Sequence, residues 1–327
     1  MALNLTRLPA RSRTQLESSS PAHQYCRSNS ELAATVAGVI TIDDVLDQAC
    51  RSAGFCREGA RLLHAHSNSV WLLPSAVIAR INRADHRGIR ARESVSLTRW
   101  LSGQGIPVTE PAHNEAVVVG DFVVTFWCYY PQAGHVLPTI ADLGRLLRML
   151  HQLPTPPFPV PSYVPLAGLT EVLESTDASV LNKQEHNWLT DRTVEARDGY
   201  VRFDSALGVG FVHGDAYIGN TLRGPEGTVL LGDWDEAAIA PRELDLANTF
   251  QSASRFGELD IAEFIDAYGR DPGPGVEVLV RMRDLHTLGA YIRRAASGDE
   301  AAEDELHHRI RTMRDLAHVD EPWHVVS

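Results

Sequence analysis

An aspartate and an asparagine five residues apart, Asp215 and Asn220, stand in the stretch His213-Gly214-Asp215-Ala216-Tyr217-Ile218-Gly219-Asn220. A second aspartate, Asp233, follows in Leu230-Leu231-Gly232-Asp233-Trp234-Asp235. Val209 to Val212 reads as a short strand entering the first loop. Thr221 to Arg223 and Thr228 to Leu231 read as a hairpin closed by the turn-rich Gly224-Pro225-Glu226-Gly227. Such a hairpin returns Asp233 to Asn220, so three oxygen-bearing side chains converge at one mouth. Hard divalent cations such as Mg²⁺ favour this donor set and take further ligands from water and substrate phosphates. Asp, Asn and Gly are also what loops use anyway. Loop residues alone, however, need neither a fixed Asp–Asn spacing nor a second Asp behind a hairpin.

The protein-kinase pattern is H-R-D-x-x-x-x-N with a later metal-binding Asp. Here Gly214 replaces the Arg, and Trp234 follows Asp233 where kinases have Phe-Gly. The HGDxxxxN loop with a later Asp-Trp-Asp resembles the aminoglycoside phosphotransferase and choline kinase branch of the kinase-like superfamily, over about Thr41 to the C-terminus. The resemblance implies a bilobal α+β fold, with a small antiparallel β-rich N-lobe and a larger α-rich C-lobe. It implies Asp215 as the base that orients and deprotonates an attacking hydroxyl, and Asn220 and Asp233 as Mg²⁺ ligands. His213 then packs the loop. Asp245, at a helix start in Arg242-Glu243-Leu244-Asp245, holds the loop's backbone. Asp235 either adds to the metal or substrate site or is an exposed turn acid.

The elements that must position these residues can be read along the 327-residue chain, long enough for two lobes. Residues 1–40 read as an extension, rich in Arg, Ser and Pro near its start and partly disordered. They lack the apolar run of a secretory signal. Residues 41–128 are assigned to the N-lobe and 129–327 to the C-lobe. Thr41-Ile42-Asp43-Asp44 has the form of a capping box opening a helix that ends at Gly54. Arg61 to Leu73 reads as two strands around His66-Ser67-Asn68-Ser69. That turn lacks the GxGxxG glycines, so phosphate contact falls to Ser67, Asn68 and Ser69.

Lys183 is the only lysine, which excludes a Walker A loop and leaves the kinase strand lysine without its usual residue. Arg80, in the strand Val77-Ile78-Ala79-Arg80-Ile81, is the substitute. In the following helix Glu93 falls on the stripe of Ile89, Leu97, Trp100 and Leu101. A carboxylate buried on that face needs a partner, and Arg80 is the candidate. The pair would grip nucleotide phosphates as the kinase Lys–Glu pair does. Val117 to Val119 and Phe122 to Phe126 pair across Gly120-Asp121, completing five strands. Trp127, Cys128 and Tyr129 lie where the resembled fold has its hinge, whose backbone would bond the base of ATP or GTP. Helical patterns follow at Thr139 to His151, Asp177 to Arg197, Ile261 to Arg270, Val276 to Ala296 and Asp299 to Leu316.

A formal charge of −12 argues against nucleic acid as a partner, and no apolar run approaches a membrane span. Four scattered cysteines argue for a reducing, cytoplasmic setting. From Glu258 onward fifteen Asp or Glu face eight Arg. If part of that excess lines the cleft, it favours a cationic hydroxyl acceptor such as an aminoglycoside. Choline-like, sugar and amino-acid alcohols stay open as acceptors, and the oligomeric state is not readable. Two other classes also stay open: a DxD glycosyltransferase or phosphatase read from Asp233-Trp234-Asp235, and a nucleotide-binding pseudokinase.

Overall fold

The computed structural model describes residues 40–65, 68–257 and 260–326. Helix α1 (Ile42–Ala53) opens with the capping box, Thr41 and Asp44 each bonding the other's backbone N–H, and closes on Gly54 at φ 77°. Its apolar stripe, Val45, Leu46 and Ala49, is fully buried. The stripe lies against a five-stranded antiparallel sheet of β1 (Arg61–Ala65), β2 (Ser69–Leu73), β3 (Val77–Arg83), β4 (Val117–Val119) and β5 (Phe122–Cys128), in the order β1-β2-β3-β5-β4. Alternation along β3 sends Val77, Ala79 and Ile81 into this small core with Phe126 and leaves Arg80 on the other face.

Helix α2 (His86–Gly103) sits differently from the expected stripe. Its buried residues are Gly88, Ala91, Ser94, Val95, Leu97, Thr98 and Leu101, while Ile89 is exposed. At about 100° per residue, Glu93 lies roughly 200° round the helix from Ala91, on the outer face. Small and hydroxylated residues carry the inner face. Ser94 and Thr98 donate to the carbonyls of Ala91 and Ser94 (both 2.8 Å), so their burial leaves no hydroxyl unsatisfied. Leu97 and Leu101 join a core that belongs mainly to the second lobe.

The C-lobe begins with α3 (Ile140–His151), whose Thr139–Asp142 capping box and Leu143, Leu146, Leu147 and Leu150 follow the sequence pattern. Then come α4 (Ala167–Leu173) and α5 (Lys183–Val201). The last starts later than Asp177, because Asn182 caps it and Thr176–Val180 forms a separate short 3-10 turn. Strands β6 (Val209–Val212) and β9 (Ala238–Pro241) pair with each other. Between them lies the hairpin β7 (Thr221–Arg223) and β8 (Val229–Leu231). Helices α6 (Glu243–Phe256), α7 (Ile261–Tyr268), α8 (Glu277–Ala296) and α9 (Glu300–Arg314) complete the lobe. Among the described residues no helix is long and apolar enough to cross a membrane.

Candidate active site

Strand β6 delivers the His213–Asn220 loop and β9 pairs back beside it, so both arms of the loop–hairpin unit are pinned at their base. Gly214 takes φ 85°, and a β-carbon there would lie 2.1 Å from the Glu236 carbonyl. Only glycine allows the two segments to touch. Asp245 accepts from the backbone N–H of His213 and of Gly214, each at 2.8 Å, and meets His151 Nε2 at 2.9 Å. Burial pushes its carboxyl up, but the bonds and charge of His151 and His213 outweigh it and hold Asp245 below the usual range. His213 is fully buried, with Nε2 on the Gly232 carbonyl (2.9 Å) and its ring 4.4 Å from that of Trp234.

Asn220 donates to the Asp215 carbonyl at 2.7 Å and approaches Asp215 Oδ2 at 3.4 Å. Gly232 N donates to the Asn220 carbonyl (2.9 Å), which brings Asp233 alongside. Asp233 takes φ 61°, ψ 65°, a left-handed backbone rare outside glycine. Arg80 spans both carboxylates behind it: Nη1 lies 2.9 Å from Asp233 Oδ1 and Nη2 2.9 Å from Asp235 Oδ2. Burial raises both acids. The Arg80 charge overrides it at Asp233, which falls below the usual range, whereas Asp235 stays raised. Asp235 is not an exposed turn acid, and its Oδ1 is buried without a partner among the described residues. Asn68, its amide assigned with oxygen toward the guanidinium, accepts from Arg80 Nε (2.8 Å) and Nη2 (3.0 Å).

The Arg80–Glu93 pair does not form. The α2 rotation leaves the Glu93 side chain 56% exposed, paired with Arg90 at 3.5 Å. The hydroxyl-lined inner face of α2 carries no carboxylate, and the nearest acids to Arg80 come instead from the segment after β8. Arg90 supplies the link between α2 and the loop, donating to the carbonyls of Asp235 (3.0 Å) and Ala237. Its role was illegible in sequence.

Ser67 lies outside the described residues, and Ser69 opens β2 opposite Ile81. At the hinge, Trp127 Nε1 donates to Thr125 Oγ1 (2.9 Å). The N–H groups of Cys128 and Tyr129 are already spent on the carbonyls of Glu110 (2.9 Å) and Ala76 (3.0 Å), which removes them as donors to a nucleotide base.

The largest feature that the sequence did not signal is on α8. Arg283 Nη2 lies 2.6 Å from Asp215 Oδ1, with both side chains buried. Burial alone would lift the Asp215 carboxyl; the Arg283 charge, with His286 and His213, brings it down to about 2. The same burial, with Arg283 nearby, takes half-buried His286 down to about 3. Arg283 Nη1 and the Tyr163 hydroxyl are buried without hydrogen-bond partners beside it. Glu236 completes the surroundings. It is exposed at the mouth of the site, yet the protein packed round it and then the Asp215 charge raise its carboxyl, against Arg283 and Arg90. Three acids of the C-terminal third are spent on ion pairs of their own: Asp284, Asp299 and Glu305 pair with Arg255, Arg294 and Arg309. The α8 residues acting on Asp215 are instead basic.

A two-lobed α+β architecture, with an Asp–Asn loop and a second Asp gathered under a strand arginine, defines a kinase-like phosphotransferase. The model of the phosphotransferase enzyme family (APH) matches residues 58–285, and the chain belongs to that family. Solved structures share the fold. An amicoumacin kinase, hAmiN, in complex with AMP-PNP, Ca²⁺ and amicoumacin superposes with a TM-score of 0.60 at 14% identity, covering 82% of this chain and 93% of that one. Spectinomycin phosphotransferase APH(9)-Ia in complex with ADP and spectinomycin gives 0.58 at 16%, covering 84% and 95%. A choline/ethanolamine kinase family protein from Mesorhizobium loti gives 0.56 at 18%, covering 85% and 96%. No curated protein matches the chain.

Proposed function

We propose that this protein transfers the γ-phosphate of ATP or GTP to a hydroxyl of a small molecule, in a Mg²⁺-dependent reaction. The observation that carries it is the placement of Asp215, Asn220 and Asp233 around one loop–hairpin unit, with Arg80 set over the second aspartate. Asp215 Oδ1 is held by Arg283, which leaves Oδ2 to take the proton of the attacking hydroxyl. The donor set fits a hard cation. Asn220 spends its amide N–H on Asp215 and keeps its oxygen, and Asp233 keeps Oδ2 while Oδ1 meets Arg80. Bound there, Mg²⁺ would neutralise charge on the transferred phosphoryl group. Arg80, steadied by Asn68 and Asp235, would bind the nucleotide phosphates in place of a lysine.

For the acceptor we favour a cationic hydroxyl compound such as an aminoglycoside or other basic antibiotic. The support is Glu236, an exposed carboxylate whose backbone carbonyl touches the Gly214 turn beside Asp215, placed where an ammonium group could meet it. The named acceptors of the amicoumacin and spectinomycin enzymes are in keeping with this. The second reading is an uncharged or anionic alcohol, favoured by the unpartnered Arg283 Nη1. An ADP-release screen over basic antibiotics, choline-like alcohols, sugars and amino-acid alcohols tests both. Turnover with a basic antibiotic that Glu236→Gln weakens supports the first. Turnover confined to acidic or neutral alcohols overturns it.

A further inference from the structure

On another face of the C-lobe, three arginines from three segments line one cavity of about 390 Å³: Arg148, Arg242 and Arg270. His151, Leu207 and Tyr268 form much of the rest of its wall. Among the described residues none of the three guanidinium groups has a carboxylate within ion-pair distance, in a chain with a net charge of −12. Of the acids nearest in sequence, Asp271 is exposed and accepts from Gly273 N (2.7 Å), while the two beside Arg242 are turned inward. Glu243 accepts from Leu207 N (2.7 Å) and Ser205 Oγ (2.6 Å), and Asp245 is spent on His151 and the catalytic loop.

Two of these arginines are seated by backbone carbonyls. Arg242 Nη1 donates to the carbonyls of Leu207 (3.2 Å) and Val209 (3.4 Å), and Arg270 Nη2 to that of Ala206 (2.5 Å). A β-carbon on Gly210 would fall 2.4 Å from Arg242 Nη2, and one on Gly269 would fall 2.8 Å from Arg148 Nη1. Gly210 has no positive φ, so there the missing side chain makes room for the guanidinium rather than for a turn. Arg242 Nε is buried with no partner. Arg148 and Arg270 are exposed and Arg242 is half-buried, so water screens their repulsion, and the positive field they share favours a negative guest. Forked donors with fixed orientation suit a tetrahedral oxyanion.

We infer that this cavity is a binding site for a phosphate-type anion, either free phosphate or a small phosphomonoester, separate from the nucleotide cleft. Leu207 and the Tyr268 ring give an ester group an apolar wall to rest on. Occupancy has a route to the catalytic loop. His151 meets Tyr268 Oη through Nδ1 (2.9 Å) and Asp245 through Nε2 (2.9 Å), and Asp245 holds the His213 and Gly214 backbone.

The test is calorimetric titration of the full chain with inorganic phosphate and with phenyl phosphate at constant ionic strength. The nucleotide site is kept filled by a non-hydrolysable ATP analogue with Mg²⁺. The variants are Arg148→Gln, whose side chain makes no hydrogen bond among the described residues, and Arg148→Gln with Arg270→Gln. Saturable binding is expected in the parent, about tenfold weaker in the single variant and lost in the double. Tighter binding of phenyl phosphate would assign a monoester, and equal or weaker binding the free ion. No heat of binding in the parent, or equal affinity in parent and double variant, overturns the site. Unchanged melting temperatures of the variants establish that loss of binding is not loss of fold.

Discussion

Arg283 of α8 and Asp215 of the catalytic loop lie 68 positions apart in sequence and 2.6 Å apart in space. The pair binds the last third of the chain to the proposed base, and it sets that base's charge. A carboxyl brought down to about 2 is ionised at physiological pH, the state in which the proposed base can orient a hydroxyl and accept its proton.

Replacing Arg283 removes the opposing charge and leaves the burial, so the Asp215 pKa should rise. In Arg283→Gln the acidic limb of kcat/KM is expected to move upward by at least about one pH unit, with kcat reduced. A pH–rate profile identical to the parent's would show that the ion pair does not govern the base. Breaking a buried pair from one side also costs stability, about 3–5 kcal/mol at the upper end. In the parent the depressed Asp215 contributes stability that is present above its unfolded pKa of about 4 and is lost as pH falls through about 2. Acid unfolding of the variant should lack that component.

Asp215→Ala should abolish phosphoryl transfer while nucleotide binding persists, a loss of roughly 10²–10⁴ in kcat. Single-turnover kinetics with a nucleotide-binding measurement check it. A turnover within about tenfold of the parent would remove Asp215 from the base's role.

Asp233→Asn and Asn220→Ala should both weaken Mg²⁺-nucleotide binding, Asp233 more severely because it supplies charge. The activity of each is read against Mg²⁺ concentration. An unchanged magnesium dependence in Asp233→Asn would assign the cation elsewhere.

Arg80 and Glu93 should act independently. Glu93→Ala is expected to change nucleotide KM little and stability by no more than about 0.5 kcal/mol, as for an exposed substitution. Arg80→Ala should raise nucleotide KM and show coupling to Asp235→Asn in a double-mutant cycle. Coupling between Arg80 and Glu93 instead would place α2 in a different rotation.

The sequence alone carried the local half of this protein. The Thr41 capping box, the Gly120-Asp121 turn, the alternation of β3 and the Asp215–Asn220 loop are each specified by neighbours a few positions away. Their chemistry acts over that same range. Tertiary structure decided the partners. Leu97 and Leu101 pack inward as the stripe suggests, but Ile89 and Glu93 do not, because α2 also turns Ala91, Ser94 and Thr98 inward, where close packing onto the Asp233–Ala237 segment favours short side chains. Arg80 therefore meets Asp233 and Asp235 rather than Glu93. Arg283 on α8 shows nothing in its own helical pattern that distinguishes it from a surface arginine. Only the folding of α8 over the loop buries it against Asp215, since a charge partnership across 68 residues leaves no periodicity to read.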